Sequence, residues 1–284
     1  MKPEYNLVLR TCNSDMTSFD GFKWPKKGAV KAPDWDPKPE CGHGLHGLLH
    51  GCGNGNLLYN NPKAKWLIVK VLKGTCIDLG GKVKFPKGTV VYAGTKEEAV
   101  KIIAEAYPEA PVVFAARHSG DHGVSTSGDG GASTSGDYGE STSGNYGTST
   151  SGDYGASTSG YYGKSASGDY GKSTSGDCGK STSGYQGTST SGNYGTSTSG
   201  ILGKSTSGIC GTSISGICGK STSGNYGTST SGDHGTSISG VGGTLIIKWC
   251  DGFRYRTAVA YVGENGIEPN VAYKLDDKGN FIKA

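Results

Sequence analysis

Methionine occurs twice and phenylalanine six times in 284 residues, and hydrophobic residues make up only 33% of the chain. That is unusually poor for a globular protein of this length. No apolar run approaches the roughly 20 residues of a membrane helix, which removes a helical membrane span. The opening MKPEYNLVLR has no apolar stretch of signal-peptide length. With no export signal, the eight cysteines read as reduced thiols and not as a disulfide framework, so the expected location is cytoplasmic. The net charge of +4 announces no strong electrostatic partner, so neither nucleic acid nor a membrane surface is expected.

Glycine, in contrast, fills 51 positions. One glycine recurs at every eighth residue from Gly123 to Gly243, and a second keeps the same step from Gly120 to Gly240. A Gly/Ser/Thr tract of irregular spacing would be a flexible linker. A strict period with a tyrosine or other large residue at fixed phase points instead to units that stack on one another.

Three segments follow. Residues 1–112 have ordinary composition, with strands expected at YNLVLR, KWLIVKVL and VKFPKGTVVYA. A helix is expected at TKEEAVKIIAEAY, opened by the capping-box pair Thr95 and Glu98, with Val100, Ile103 and Ala104 on one face. Residues 113–243 are the repeat. Residues 244–284 return to ordinary composition as a β-hairpin around Asp251-Gly252, placed to cap the repeat or to mediate dimerisation.

Each octad reads Gly-x-Ser-Thr-Ser-Gly plus two variable residues. Position x holds Val124, Ala132, Glu140, Thr148 and Lys164 in different copies, so x and the Thr two places later face solvent. Serines such as Ser149 and Ser151 must then face inward, forming a thin core whose hydroxyls need hydrogen-bond partners. An octad is too short to close a coil. The expectation is therefore a mainly β fold: a two-sided β-solenoid of about eight coils, 16 residues each from paired octads, at roughly 4.8 Å per coil. It is flanked by a small α+β N-terminal domain and a C-terminal hairpin. Residues i and i+16 stack, while i and i+8 lie on opposite sides, which separates Cys210 from Cys218. The paired glycines are expected to supply positive-φ corners. Asp and Asn at the first variable position are expected to bond the local turn backbone. At the second position run tyrosine columns, Tyr138, Tyr154 and Tyr170 on one side and Tyr146, Tyr162, Tyr194 and Tyr226 on the other, suited to stacking or to a dimer seam.

Tyr-Gly followed by Ser/Thr alternation, in octads that pair into 16-residue coils, resembles the repeats of bacterial ice-nucleation proteins. The resemblance covers the repeat only. It implies a β-solenoid with a tyrosine ladder and Thr-x-Thr rows that order water, here Thr148/Thr150, Thr188/Thr190, Thr196/Thr198 and Thr228/Thr230. Measured from the tyrosine, the Thr pair is shifted by one residue. Lysines also interrupt both faces, Lys164 and Lys180 on one and Lys172, Lys204 and Lys220 on the other. The segment FDGFKWP, with CGHGLHG after it, resembles a small domain of uncharacterised bacterial and phage proteins.

The cluster CGHGLHGLLHGC brings Cys41, His43, His46, His50 and Cys52 close in sequence, a weak candidate set for zinc. Its four glycines argue for a loop whose Leu45, Leu48 and Leu49 plug the domain core. Nothing orients a base or an oxyanion site, so no enzyme, catalytic residue or cofactor is expected. The leading reading is a non-enzymatic scaffold whose faces bind a protein partner, in its sharpest form a phage-encoded inhibitor of a host defence protein in the host cytoplasm, with a homodimer or higher oligomer also open. An ice-binding, water-ordering protein is the alternative, and an enzyme or metal site in the N-terminal domain the third. Candidate binding residues are Lys164, Lys172 and Lys180, the pairs Thr196/Thr198 and Thr228/Thr230, and Tyr138, Tyr154 and Tyr170.

Overall fold

The computed structural model describes residues 4–18, 21–59 and 61–284. Its contacts divide the chain into two units, one of residues up to 115 together with 127–131, the other of 116–126 and 132–284.

The first unit is built on a seven-stranded sheet. Its strands are β1 (Tyr5–Cys12), β2 (Gly28–Lys31), β3 (Leu45–Leu49), β4 (Lys65–Leu72), β5 (Ile77–Asp78), β6 (Val83–Phe85) and β7 (Lys87–Gly94). They lie in the order β2-β7-β4-β1-β3-β6-β5 with antiparallel neighbours. Alternation along the central strands buries both faces. Val8, Leu67, Val69 and Val71 enter one cluster with Trp24 and Phe85, while Leu9, Trp66 and Ile68 enter another with Val100 and Ile103 of helix α1 (Lys96–Ala106). The expected cap forms by half. Thr95 Oγ1 accepts the Glu98 N–H, but Glu98 does not reach back to the Thr95 N–H. That N–H goes to the Tyr92 hydroxyl, which itself donates to Glu98. The expected glycine-rich loop is strand β3, with Leu45 and Leu48 buried. Gly47 lets it lie against β1, since a Cβ there would meet Leu9 O at 2.7 Å. The FDGFKWP stretch begins at Phe19 and Asp20, outside the described residues.

The second unit is the solenoid. Sixteen short strands, β8 (Ala116–His118) to β23 (Thr236–Ser239), alternate between two parallel sheets. Every octad strand from β8 to β22 pairs with the strand 16 residues on, as in Ser149↔Ser165 and Ser141↔Ser157. The front sheet continues into β24 (Thr244–Cys250) and β25 (Tyr255–Tyr261), and the back sheet into β26 (Tyr273–Leu275) and β27 (Phe281–Lys283). β24 adds in parallel; β25, β26 and β27 add antiparallel. The only apolar cluster of this unit among the described residues lies under these last strands, around Leu245, Val262, Ile267 and Tyr273.

Between the two solenoid sheets the filling is serine. Ser149, Ser173, Ser189 and Ser213 have no exposed surface. Ser149 Oγ donates across to Thr158 O at 2.6 Å and stands 3.0 Å from Ser143 Oγ on the opposite sheet; Ser141 likewise reaches Thr150 O at 2.7 Å. A short side chain bonded to the facing sheet replaces interdigitated hydrocarbon. Ser135, Ser191, Ser197 and Ser215 keep buried hydroxyls without a protein partner.

Candidate functional site

The corners that carry the faces differ from the sequence expectation. Positive φ falls on the second variable residue and not on the paired glycines: Tyr138, Tyr146, Tyr154, Gln186, Leu202 and Cys218 all lie between 51° and 58°. A β-turn explains this, since Gly147 N–H bonds Gly144 O at 3.2 Å and leaves Tyr146 third in the turn. Its N–H bonds Tyr161 O of the next coil at 2.8 Å. The paired glycines are needed for close approach. A Cβ on Gly147 would lie 2.7 Å from Ser143 Cβ, and one on Gly152 would run into Asp137 Oδ1.

That carboxylate oxygen is the second correction. Asp and Asn of the first variable position bond the coil above, 16 residues on, and not their own turn. Asp137 N–H donates to Asp121 Oδ1 at 3.0 Å, Asp153 to Asp137 and Asp169 to Asp153 at 2.8 Å, and Tyr185 to Asp169 at 2.7 Å. Asn145 and Asn193 serve Tyr161 and Ile209 in the same way. Only a side-chain oxygen is required, which is why Asn and Asp interchange.

Beside these ladders the rings stack. Tyr138, Tyr154 and Tyr170 are 4.9 and 4.8 Å apart and parallel within 3°, and His122 extends the column at 5.0 Å. In the other column Tyr146 and Tyr162 stack at 5.6 Å, with Tyr161 edge-on to Tyr162 at 4.4 Å. Tyr194 and Tyr226 lack a tyrosine neighbour in their column because Cys178 and Cys210 interrupt it. A hydrogen bond with Cys178 and another with Tyr161 push the Tyr162 phenol up to about 12. Cys210 and Cys218 stand on opposite corners, and all eight cysteines are free.

The candidate binding residues do not form one patch. Lys164 and Lys180 are register neighbours on the front sheet, whereas Lys172 is on the back sheet. Lys204 and Lys220 pair on the back as well. Of the threonine pairs, Thr188/Thr190 lies on the back and Thr148/Thr150, Thr196/Thr198 and Thr228/Thr230 on the front, the last two joined by residues the sequence pattern passed over. The row Thr196–Thr212–Thr228–Thr244 is unbroken, and beside it run Thr198, Ile214, Thr230 and Ile246. Tyr261 and Val259 of β25 continue both rows. This tract carries no lysine.

The cysteine–histidine cluster is dispersed, and among the described residues no group of three or more His, Cys, Asp or Glu could hold a metal ion. His50 Nε2 is 3.1 Å from Asn6 Oδ1 and its ring lies on Tyr107; His43 pairs with Asp34 at 3.4 Å. Cys52 Sγ contacts His50 O. Burial, with Lys82, Arg10 and Lys84 nearby, lowers His46 to about 4. Cys41 Sγ accepts from Lys82 Nζ at 3.0 Å, which holds its thiol below the ordinary range.

Comparison with known proteins bears on both units. Residues 6–102 match a family described as a domain of unknown function, DUF7666. An ice nucleation protein of Pseudomonas fluorescens is 40% identical over 107 residues, 37% of this chain and 9% of that protein. Ice nucleation protein InaU of Pantoea ananas is 35% identical over 105 residues, 36% of this chain and 10% of its own length. One from Xanthomonas campestris pv. translucens is 36% identical over 104 residues, 36% of this chain and 7% of that protein. The chain thus spans a tenth or less of the relatives it matches. No solved structure matches. The architecture is a repeat scaffold, and its repeat is similar to those of ice nucleation proteins.

Proposed function

We propose that the solenoid is a non-enzymatic scaffold that orders water on its front face and binds ice there. The observation that carries this is the lysine-free tract from Thr196 to Ile246. Hydroxyl and methyl groups recur about every 4.8 Å across strands and about 6.6 Å along them. The backbone beneath is fixed by parallel pairing, with Asn193 and Asn225 bonding the coils above them, so water meets a surface that needs no ordering of its own. The names of the relatives agree with this chemistry. A patch of four strands is small, and slowing of ice growth is expected before efficient nucleation.

The test is thermal hysteresis and ice-recrystallisation inhibition with the full chain. Thr212→Lys and Thr228→Lys should abolish the effect, while Thr188→Lys on the back sheet should leave it. Absence of any effect on ice growth, or equal loss from front and back variants, overturns the reading.

A second reading, a protein partner, draws on one observation. Lys164 and Lys180 sit side by side on one face, where like charges repel. An acidic partner would relieve that repulsion, and it would meet these two without Lys172. Replacing the pair by Thr should then abolish capture of that partner; undiminished capture removes this reading.

A further inference from the structure

We infer that the C-terminal end of the solenoid is a pairing surface for a second copy of this chain, joined strand to strand through β25 and β27 about one two-fold axis normal to the sheets. Among the described residues each sheet has ten strands, and each has an antiparallel strand at its edge, β25 in front and β27 behind. The two edges therefore end within about one strand spacing, roughly 4.8 Å, of each other along the solenoid. A two-fold axis that sets β25 against its copy sets β27 against its copy in the same operation, and such an interface closes after two chains.

The main-chain geometry of β25 favours this. Val262 N–H bonds Gly243 O, so Arg256, Ala258 and Ala260, at the same parity, direct their backbone groups toward β24. Tyr255, Thr257, Val259 and Tyr261 direct theirs outward. Antiparallel pairing centred on Ala258 places Thr257 opposite Val259 of the second copy and Tyr255 opposite its Tyr261, giving about eight backbone hydrogen bonds. The edge also lacks the usual protection. Residues 255–261 contain no proline and no lysine, and the pairing with β24 is without a bulge.

Charge and area agree. Arg256 is bound to Asp251 and Lys283 to Glu268 within the chain, so like charges do not face each other uncompensated across the axis. Phe253 is 95% exposed, Tyr255 68% and Tyr261 54%. At about 150–250 Å² per aromatic side chain, these supply several hundred Å² per copy. Two copies, with both strand edges, reach the region of about 1,200 Å² that a specific interface needs. Pairing does not depend on the ice-binding reading, but it would run two front faces into one continuous sheet.

Sedimentation of the full chain across a concentration series tests this. The native chain should approach twice the monomer mass. Thr257→Pro removes an outward N–H and no bond to β24, so it should give monomers with an unchanged circular dichroism spectrum. Should that variant misfold, hydrogen exchange of the native chain decides: Thr257 and Val259 amides should be protected when concentrated and should exchange at least tenfold faster on dilution. A chain monomeric at all concentrations overturns the inference. So does a dimer that survives Thr257→Pro but is lost on changing Tyr138, Tyr154 and Tyr170, which would place the seam on the tyrosine column.

Discussion

In the N-terminal unit Leu67, Ile68 and Val69 are fully buried among other hydrocarbon side chains, while in the solenoid Ser149, Ser189 and Ser197 occupy the same depth. The first unit is held by apolar area removed from water, at about 25 cal/mol per Å². The second has almost none to remove across its coils. It is held by strand pairing, serine hydroxyls bonded to the facing sheet, Asp/Asn ladders and stacked rings. Few large side chains are therefore needed for order, provided that most of the short polar ones have a partner. That arrangement leaves the outward positions nearly free of structural demands.

The contrast can be broken at single residues. The largest effect is expected at Ile68→Ala, which should destabilise the N-terminal unit by about 2–5 kcal/mol and lower its calorimetric transition without moving that of the solenoid. Movement of both would mean that the units unfold together. Next comes the tyrosine column. Tyr154→Gly removes stacking with Tyr138 and Tyr170 but relieves a positive φ, for a net loss of about 1–2 kcal/mol. Leu202→Gly relieves the same strain without losing a ring pair and should stabilise by up to about 1 kcal/mol. Equal signs in denaturant melts would show that the columns do not stack to any effect. The smallest difference separates two serines. Ser149→Ala should cost about 1 kcal/mol, whereas Ser197→Ala, which removes a hydroxyl with no partner, should be neutral or slightly stabilising.

The period made the coil legible, because eight residues cannot close a turn and sixteen can. Alternation made Ser149 inward and Thr150 outward. The corners were not legible from local rules. Glycine at Gly147 and Gly152 suggested positive φ, yet these glycines serve contacts with Ser143 and with Asp137 of the coil below. Asp121 suggested a turn bond, yet its acceptor role is toward Asp137. Both errors have one cause: in a solenoid the nearest neighbour is 16 residues away, and turn propensities describe the nearest few. The cysteine–histidine cluster, read as a loop with only a weak claim to zinc, departs in another way: Leu45–Leu49 form strand β3, and His43 pairs with Asp34 while His50 faces Asn6.

The serine filling has a thermal consequence. Exposure of apolar surface raises the heat capacity on unfolding and exposure of polar surface lowers it, at about +0.45 and −0.26 cal/mol/K per Å². A solenoid whose interior is mostly hydroxyl and main chain should unfold with a small heat-capacity change, and its stability curve should be shallow. Hydrocarbon cores lose part of their driving force on cooling. The coils buried around Ser149 and Ser189 have little of that force to lose, so they should keep their geometry in supercooled water where an apolar core begins to loosen.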